Sequence, residues 1–366
     1  MNVCAVLVNH HGADDIAAAV AALHADVPGL PVVVVDNSDD PAQWDRLATR
    51  LPASVCRVRA PANLGFGGGC NLAMRHTDAA FVFLVNPDVR VRPGCTAALW
   101  QALQHDATLA AVAPRQFLDD AACWRLPPAE LPSAVHEWAF ERALRDDRAA
   151  RRLWGASLGR HLRHWTATEP TAQRALSGSA LMVRRRALPD GEPLFDPRLF
   201  VYYEDAELCR RLRGHGHRLA LVPAAQAVHT WHNRPHKEAL MQQAAEVYHG
   251  LSGETAARWR QRTQALRAGP PTMDVSRLCP LPAGGETLDL GDGERWLLEL
   301  SPSPLMTPAI GRFGPGAHVP PPDDVVGRFM GVRLYGRLTI PSRADALARA
   351  RVYCWHPAPA GEGREG

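Results

Sequence analysis

Three short apolar runs constrain the fold most: "VCAVLV" at 3–8, "VVVV" at 32–35 and "FVFLV" at 81–85. They are rich in β-branched and aromatic side chains and lack the polar alternation of a strand that faces water on one side. Strands of this kind are covered on both faces, as in a parallel sheet. Between them lie the alanine-rich "DDIAAAVAALHA" at 14–25 and the glycine-rich "NLGFGGGCNLAMRH" at 63–76, each reading as a helix, and "VCRVRA" at 55–60 adds a strand. This alternation predicts an α/β fold, a mostly parallel sheet flanked by helices.

The pattern loosens from about 117 to 174, a stretch that includes the Arg-rich "ERALRDDRAARRLWGASLGRHLRHW", read as an amphipathic helix with a solvated face or a grip on an anionic acceptor. Regularity returns at "ALSGSALMVRRRAL" and "RLFVYYEDAELCRRLRGHGHRLALVP". A helix and a Pro/Gly-rich linker follow over 236–285, and 286–366 reads as a small β-rich domain of its own. In "VRLYGRLTI", Val332, Leu334, Leu338 and Ile340 alternate with Arg333, Tyr335, Arg337 and Thr339. Period two predicts a half-exposed antiparallel strand with the second set toward water. The tail is expected to bind glycan, pair two copies of the chain or dock a partner.

The 366 residues suffice for two domains, and a net charge of +3 argues against a dedicated nucleic-acid binder. Eight cysteines occur with no C-x-x-C pair, so neither a zinc knuckle nor a disulfide framework is indicated. The first residues lack the basic and apolar regions of a signal peptide, and no window reaches the length of a membrane span. A cytoplasmic protein is expected, with any membrane contact peripheral, at the inner face.

Acids stand at three strand ends: Asp36 after "VVVV", Asp88 after "FVFLVNP" and Glu204-Asp205 after "LFVYY". Ligands of open α/β sheets bind beyond the carboxyl ends of the strands, so the three together indicate a polar crevice. A dinucleotide fold is excluded on pattern, because "NHHG" follows the first strand and Cys70 stands where a third glycine belongs. The run "NLGFGGGCN" offers either bare amides for a diphosphate or sugar, or close helix–sheet packing. A divalent cation shared by Asp88 and a diphosphate, with His229 as second ligand, explains a carboxylate at the sheet tip; the bland rival is a simple turn. The spacing of His229, His232 and His236 hints at zinc, but no cysteine supports it. Glu204 and Asp205 open a helix behind Tyr202 and Tyr203, and read either as dipole stabilisers or as a desolvated general base.

In order, "LVNHHG", "VVDNS", "NLGFGGGCN", "LVNPDV", "SGSALMVRR" and "FDPRLFVYYEDAELCRRLRGHGHRLALVPAAQAVH" resemble the motifs of family 2 glycosyltransferases with a GT-A fold, in the rhamnosyltransferase-like subgroup. The resemblance spans about 1–235, the expected catalytic domain. It implies that Asp36 reads the nucleotide base, with Asn9 in the same pocket and Asn63 and Gly65 along the donor. Asn86-Pro87-Asp88 takes the place of a D-x-D motif, so Asp88 and His229 would bind Mg²⁺ or Mn²⁺ with Asn86 as a neutral stand-in. Ser177 and Gly178 would line the sugar and acceptor side. Asp205 would be the catalytic base with Glu204 beside it, and Arg211 falls on the family's arginine in that helix, on the donor side. Departures are Glu207 for the usual Asp, His10-His11 after Asn9, and Arg234-Pro235 after the histidine.

The implied activity is inverting transfer of a sugar from a nucleotide-sugar donor, dTDP-rhamnose first or a UDP-hexose, to a hydroxyl of a glycan or lipid-linked acceptor. The alternatives are a non-catalytic sugar-nucleotide or glycan-binding protein on the same fold, and a nucleotidyltransferase.

Overall fold

The computed structural model describes residues 1–366 except 190, 231–236, 252, 253, 272, 274–277, 330, 331 and 356–366. The chain divides into two compact units. Unit 1 comprises 1–122, 128–133 and 166–256; unit 2 comprises 123–127, 134–165 and 257–366. The boundaries expected from sequence run in chain order, whereas contacts place the Arg-rich stretch with the C-terminal β region.

Among the described residues, unit 1 carries nine strands: β1 (Val3–Asn9), β2 (Val32–Asp36), β3 (Cys56–Arg59), β4 (Phe81–Val85), β5 (Val89–Val91), β6 (Leu109–Phe117), β7 (Thr171–Gln173), β8 (Ala180–Arg184) and β9 (Arg218–His229). They form one sheet in the order β3-β2-β1-β4-β8-β6-β9-β5, with β7 also on β9. The expected parallel pairing holds from β3 through β4, and again between β6 and β9. β8 enters antiparallel to both β4 and β6, making the sheet mixed. An apolar run such as "ALMV" has no polarity along its length, so its direction is not written in its periodicity.

The helices include α1 (Ala13–Asp26), α2 (Pro41–Arg50), α3 (Gly65–Ala73), α4 (Cys95–His105), α5 (Ala134–Ala143), α6 (Asp147–Thr166), α7 (Glu204–Gly214) and α8 (Lys237–Gly250). Successive residues of β1 point to opposite faces. Val3, Ala5 and Leu7 pack with Ile16 and Leu23 of α1 and Leu99 and Leu103 of α4. Cys4, Val6 and Val8 pack with Cys70 and Leu72 of α3 and Leu208 and Leu212 of α7. Both faces are covered, which is why the strands are apolar throughout.

Unit 2 is built on β10 (Glu286–Thr287), β11 (Arg295–Ser301), β12 (Ile310–Pro315), β13 (His318–Val319), β14 (Leu334–Thr339) and β15 (Arg351–Trp355). Four of them form an antiparallel sheet, β12-β11-β14-β15. Of the half-exposed strand expected here, the part that forms β14 is instead buried along its whole length, with Arg337 at 0% exposure. The reason is α6, which lays Leu158 and Trp165 against Leu297 on the face meant for water. The Arg-rich stretch is thus a helix with one buried face, whereas Arg148, Arg151, Arg152 and Arg163 stay exposed.

Arg337 is tolerated inside because Glu299 stands directly opposite it on β11. Its Nε and Nη2 donate to Glu299 at 2.7 and 3.0 Å, and His161 Nδ1 of α6 lies 2.8 Å from the same carboxylate. Burial would raise the Glu299 carboxyl, but Arg337 and then His161 hold it below its ordinary value. Arg337→Met leaves that carboxylate buried with one partner fewer, and is expected to cost about 3–5 kcal/mol in urea unfolding. Arg333→Met, on the exposed residue of the same alternation, is expected to stay within about 0.5 kcal/mol of the parent.

Candidate active site

β1 and β2 end level, Asn9 opposite Asp36, and both side chains are fully buried. Asp36 Oδ1 accepts hydrogen bonds from Asn9 Nδ2 at 2.9 Å and from the Ser38 hydroxyl and amide at 2.7 and 3.3 Å. Asp36 Oδ2 is buried with no partner. An unmade hydrogen bond at a buried acceptor costs about 1–3 kcal/mol, so this oxygen suits an N–H donor arriving from outside the protein.

Asn37, which the sequence reading passed over, knits the next segment to this edge. Its Nδ2 donates to Asn63 Oδ1 at 3.0 Å and to Gly65 O at 2.9 Å, and its Oδ1 accepts from Leu64 N at 2.9 Å. Asn63 Nδ2 lies 3.1 Å from His10 Nε2, so the unusual His10 contacts the predicted donor-side asparagine. Of the two readings of the glycine run, packing accounts for three glycines. Gly65 has φ +73°, and a Cβ there would fall 1.9 Å from the Phe200 carbonyl oxygen; one on Gly69 would fall 2.8 Å from Val8, and one on Gly67 3.2 Å from Phe195. Phe66 N donates to that Phe200 oxygen at 2.9 Å, and Asn71 holds both the N–H and the C=O of Phe195.

The turn after β4 positions Asp88. Asn86 N donates to Ser179 O at 2.8 Å, and the Asp88 carbonyl accepts from Thr230 N at 3.1 Å. β5 then pairs with the end of β9, Val89 opposite His229. Asp88 Oδ1 lies 3.4 Å from His229 Nε2, the two side chains 17% and 13% exposed. Asn86 Oδ1 is buried without a partner. One carboxylate and one imidazole, reachable from solvent, are residue types that could hold a divalent cation. His232 and His236, and Arg234 and Pro235, lie outside the described residues. Among the described residues no group of three or more His, Cys, Asp or Glu side chains could hold a metal.

The carboxylate pair opens α7 after two tyrosines in the left-handed region, Tyr202 at φ 70° and Tyr203 at φ 66°. Side chains other than Gly, Asn and Asp rarely adopt it, and such strain concentrates at functional sites. Asp205 Oδ2 accepts from Gly178 N at 2.9 Å and Oδ1 from Ala206 N at 2.7 Å. Burial raises the Asp205 carboxyl despite those amides, and burial followed by the Asp205 charge pushes Glu204 up to about 8. Glu204 Oε2 is buried and unpartnered. The acid that ionises first is therefore the one whose oxygens both accept N–H donors, and its charge is what raises Glu204 further. The Tyr203 ring packs on Tyr248, centroids 5.3 Å apart.

Ser177 and Gly178 precede β8, between the turn that bears Asp88 and the Asp205 carboxylate. The Ser177 and Ser179 hydroxyls lie 2.9 Å apart, and Ser179 Oγ donates to Gln116 Oε1 at 2.9 Å. Gln116 gave no sequence signal, being one polar residue in a buried strand. Arg211, expected on the donor side, is committed elsewhere. It pairs with Glu207 and Glu192 and donates to the carbonyls of Pro193 and Leu194, so it fixes α7 to the preceding loop.

A family model described as "Glycosyltransferase like family 2" matches residues 15–249. The chain is similar to an N-acetylglucosaminyl-diphospho-decaprenol L-rhamnosyltransferase found in two strains of Mycobacterium tuberculosis, 29% identical over 212 residues. That alignment covers 55% of this chain and 66% of the relative, just under two thirds of its length. Among solved structures, a mannosyltransferase from Pyrobaculum calidifontis in complex with GDP-Man and Mn²⁺ is 18% identical, with TM-score 0.48 over 73% of this chain and 74% of that one. GalNAc-T7 with UDP, GalNAc and Mn²⁺ is 15% identical, with TM-score 0.45 over 72% of this chain and 54% of that one.

The raised Glu204 carboxyl fixes a pH dependence of stability. Its proton is held more tightly folded than unfolded, so the contribution is full below about pH 4.5 and is lost as pH rises through about 8. Thermal midpoints are expected to fall between pH 5 and pH 8, and Glu204→Gln, which keeps the shape without the titration, is expected to flatten that fall.

Proposed function

This chain belongs to the glycosyltransferase-like family 2, and from that premise we propose that unit 1 is an inverting, nucleotide-sugar-dependent hexosyltransferase assisted by Mn²⁺ or Mg²⁺. The donor proposed first is dTDP-rhamnose, with a UDP-hexose second, and the acceptor is a hydroxyl of a glycan or lipid-linked glycan. The observation that carries the reading is the Ser177–Ser179 bridge. Its Ser179 carbonyl holds the turn bearing Asp88 and its Gly178 amide holds Asp205, so one short loop spans both reactive groups. Among the described residues no helix is long and apolar enough to cross a membrane.

In this mechanism Asp36 and Asn9 take the nucleotide base, through the free Asp36 Oδ2. Asp88 and His229 would hold the divalent cation, which when bound would offset charge on the diphosphate leaving group. Asp205 takes the proton from the acceptor hydroxyl as its oxygen attacks the anomeric carbon and the bond to the diphosphate breaks. The amides of Gly178 and Ala206 fix the orientation of that carboxylate. Glu204, neutral beside it, avoids a second buried charge that would hold Asp205 protonated.

Release of nucleoside diphosphate from dTDP-rhamnose and UDP-hexoses, with and without Mn²⁺ or Mg²⁺, tests the reading. Asp205→Asn is expected to slow release about 10²–10⁴-fold while the donor still raises the thermal midpoint. Asp88→Ala is expected to lose both the release and the metal-dependent part of that midpoint shift. Release of pyrophosphate from a nucleoside triphosphate, with no turnover of sugar nucleotides, would overturn it.

A further inference from the structure

Unit 2 contains a cavity of about 180 Å³ at the end of β14, with none of the candidate active-site residues in its lining. Its lining is Leu288, Asp289, Leu338, Thr339, Ile340, Arg343, Ala346, Arg349 and Arg351. The aliphatic part is firm: Leu338, Leu288 and Ala346 are all buried. Thr339, 3% exposed, carries a buried hydroxyl with no hydrogen-bond partner.

The three arginines are held from behind by carboxylates outside the lining. Arg343 Nε and Nη2 donate to Glu294 at 3.0 and 2.7 Å, and Nη2 also reaches the Asp289 carbonyl at 2.8 Å. Arg349 Nε donates to Asp345 at 2.6 Å, and Arg351 Nη1 pairs with Glu286. Each guanidinium has five N–H donors in a fixed plane, so these contacts set orientation and leave further donors on each group. The balance of charge decides the ligand class. Arg343, Arg349 and Arg351 face Asp289, Glu294, Asp345 and Glu286, so the local sum is one negative and offers a diphosphate or carboxylate no net attraction.

We propose that this cavity binds a neutral pyranose of a glycan chain: the aliphatic wall takes a C–H face of the ring, the arginine N–H groups donate to its hydroxyls, and Asp289 accepts from one. Few convergent polar groups on an apolar wall are the usual makeup of a small-ligand site. The inference is independent of the transferase reading, since it concerns unit 2 alone and its readout requires no turnover.

The chain has three isoleucines, Ile16, Ile310 and Ile340. Only Ile340 lines the cavity, so methyl NMR of the full chain labelled at isoleucine reports occupancy directly, with Ile16 and Ile310 as internal controls. Methyl glycosides of rhamnose, glucose, galactose and N-acetylglucosamine are titrated against glucuronate and inorganic phosphate. At least one neutral glycoside is expected to shift Ile340 alone, saturably and at millimolar concentration. Arg349→Ala is expected to weaken that binding about 2–10-fold; the side chain is 68% exposed and, among the described residues, pairs with Asp345 four positions earlier, so the fold tolerates the change. A stronger response to phosphate or glucuronate than to any neutral glycoside overturns the proposal, as does no Ile340 shift at tens of millimolar. Equal shifts at all three isoleucines overturn it as well.

Discussion

The antiparallel pairing of β8 with β4 is the constraint on which the site depends. β4 runs toward the carboxyl edge of the sheet and stops at Asn86, and β8 starts from that same edge, with Ala180 opposite Val85. The residues just before β8 must therefore lie beside the turn that carries Asp88. Had β8 continued the parallel pattern of its neighbours, Ser177–Ser179 would stand at the far end of the sheet. The hydrogen bond from Asn86 N to Ser179 O and the one from Gly178 N to Asp205 Oδ2 both follow from this reversal. A backbone amide can approach the carboxylate so closely because residue 178 is glycine, where even a Cβ would lie 3.2 Å from Asp205 Cβ.

The same edge concentrates polar atoms that the protein leaves unmatched. Asp36 Oδ2, Asn86 Oδ1 and Glu204 Oε2 are all buried without a partner; Asp36 ends β2 and Asn86 follows β4, whereas Glu204 opens α7 after residues 200–203, which form bends and not the strand expected from "LFVYY". Folded proteins satisfy nearly all buried polar groups, because each failure costs about 1–3 kcal/mol. Three such failures fall on candidate-site residues, and two tyrosines in the left-handed region precede one of them, Glu204. Other polar groups of unit 1 are fully engaged: Asn71 satisfies both backbone groups of Phe195, and Arg211 is shared among two carboxylates and two carbonyls.

What could be read from the sequence follows from the reach of local pattern. Apolar runs broken by an acid gave β2 and β4, their covered faces, and the carboxyl edge where Asp36 and Asp88 sit, because burial on both faces removes polar alternation. The direction of β8 was not legible, since four apolar residues look alike from either end. Arg337 was misread for a related reason. Alternation states that a strand has two unlike faces, and α6, encoded some 170 residues earlier, decides whether the second meets water. Asn37 and Gln116 were missed because a single amide carries no periodic signal, and its partners, Asn63 and Ser179, are distant in the chain.

The division of labour within the carboxylate pair can be argued from hydrogen bonding alone. Two adjacent acids in one buried setting cannot both ionise cheaply, so one keeps its proton. A carboxylate is favoured where donors point at both oxygens, and Asp205 has the amides of Gly178 and Ala206, one on each. Glu204 has a buried oxygen with no donor, an arrangement that suits the neutral acid far better than the anion. The negative charge thus settles on Asp205 because of where the chain places two N–H groups, and one of those groups is available only through the reversal at β8. The fold that joins the cation side to the base also selects which of the two acids is ready to accept a proton.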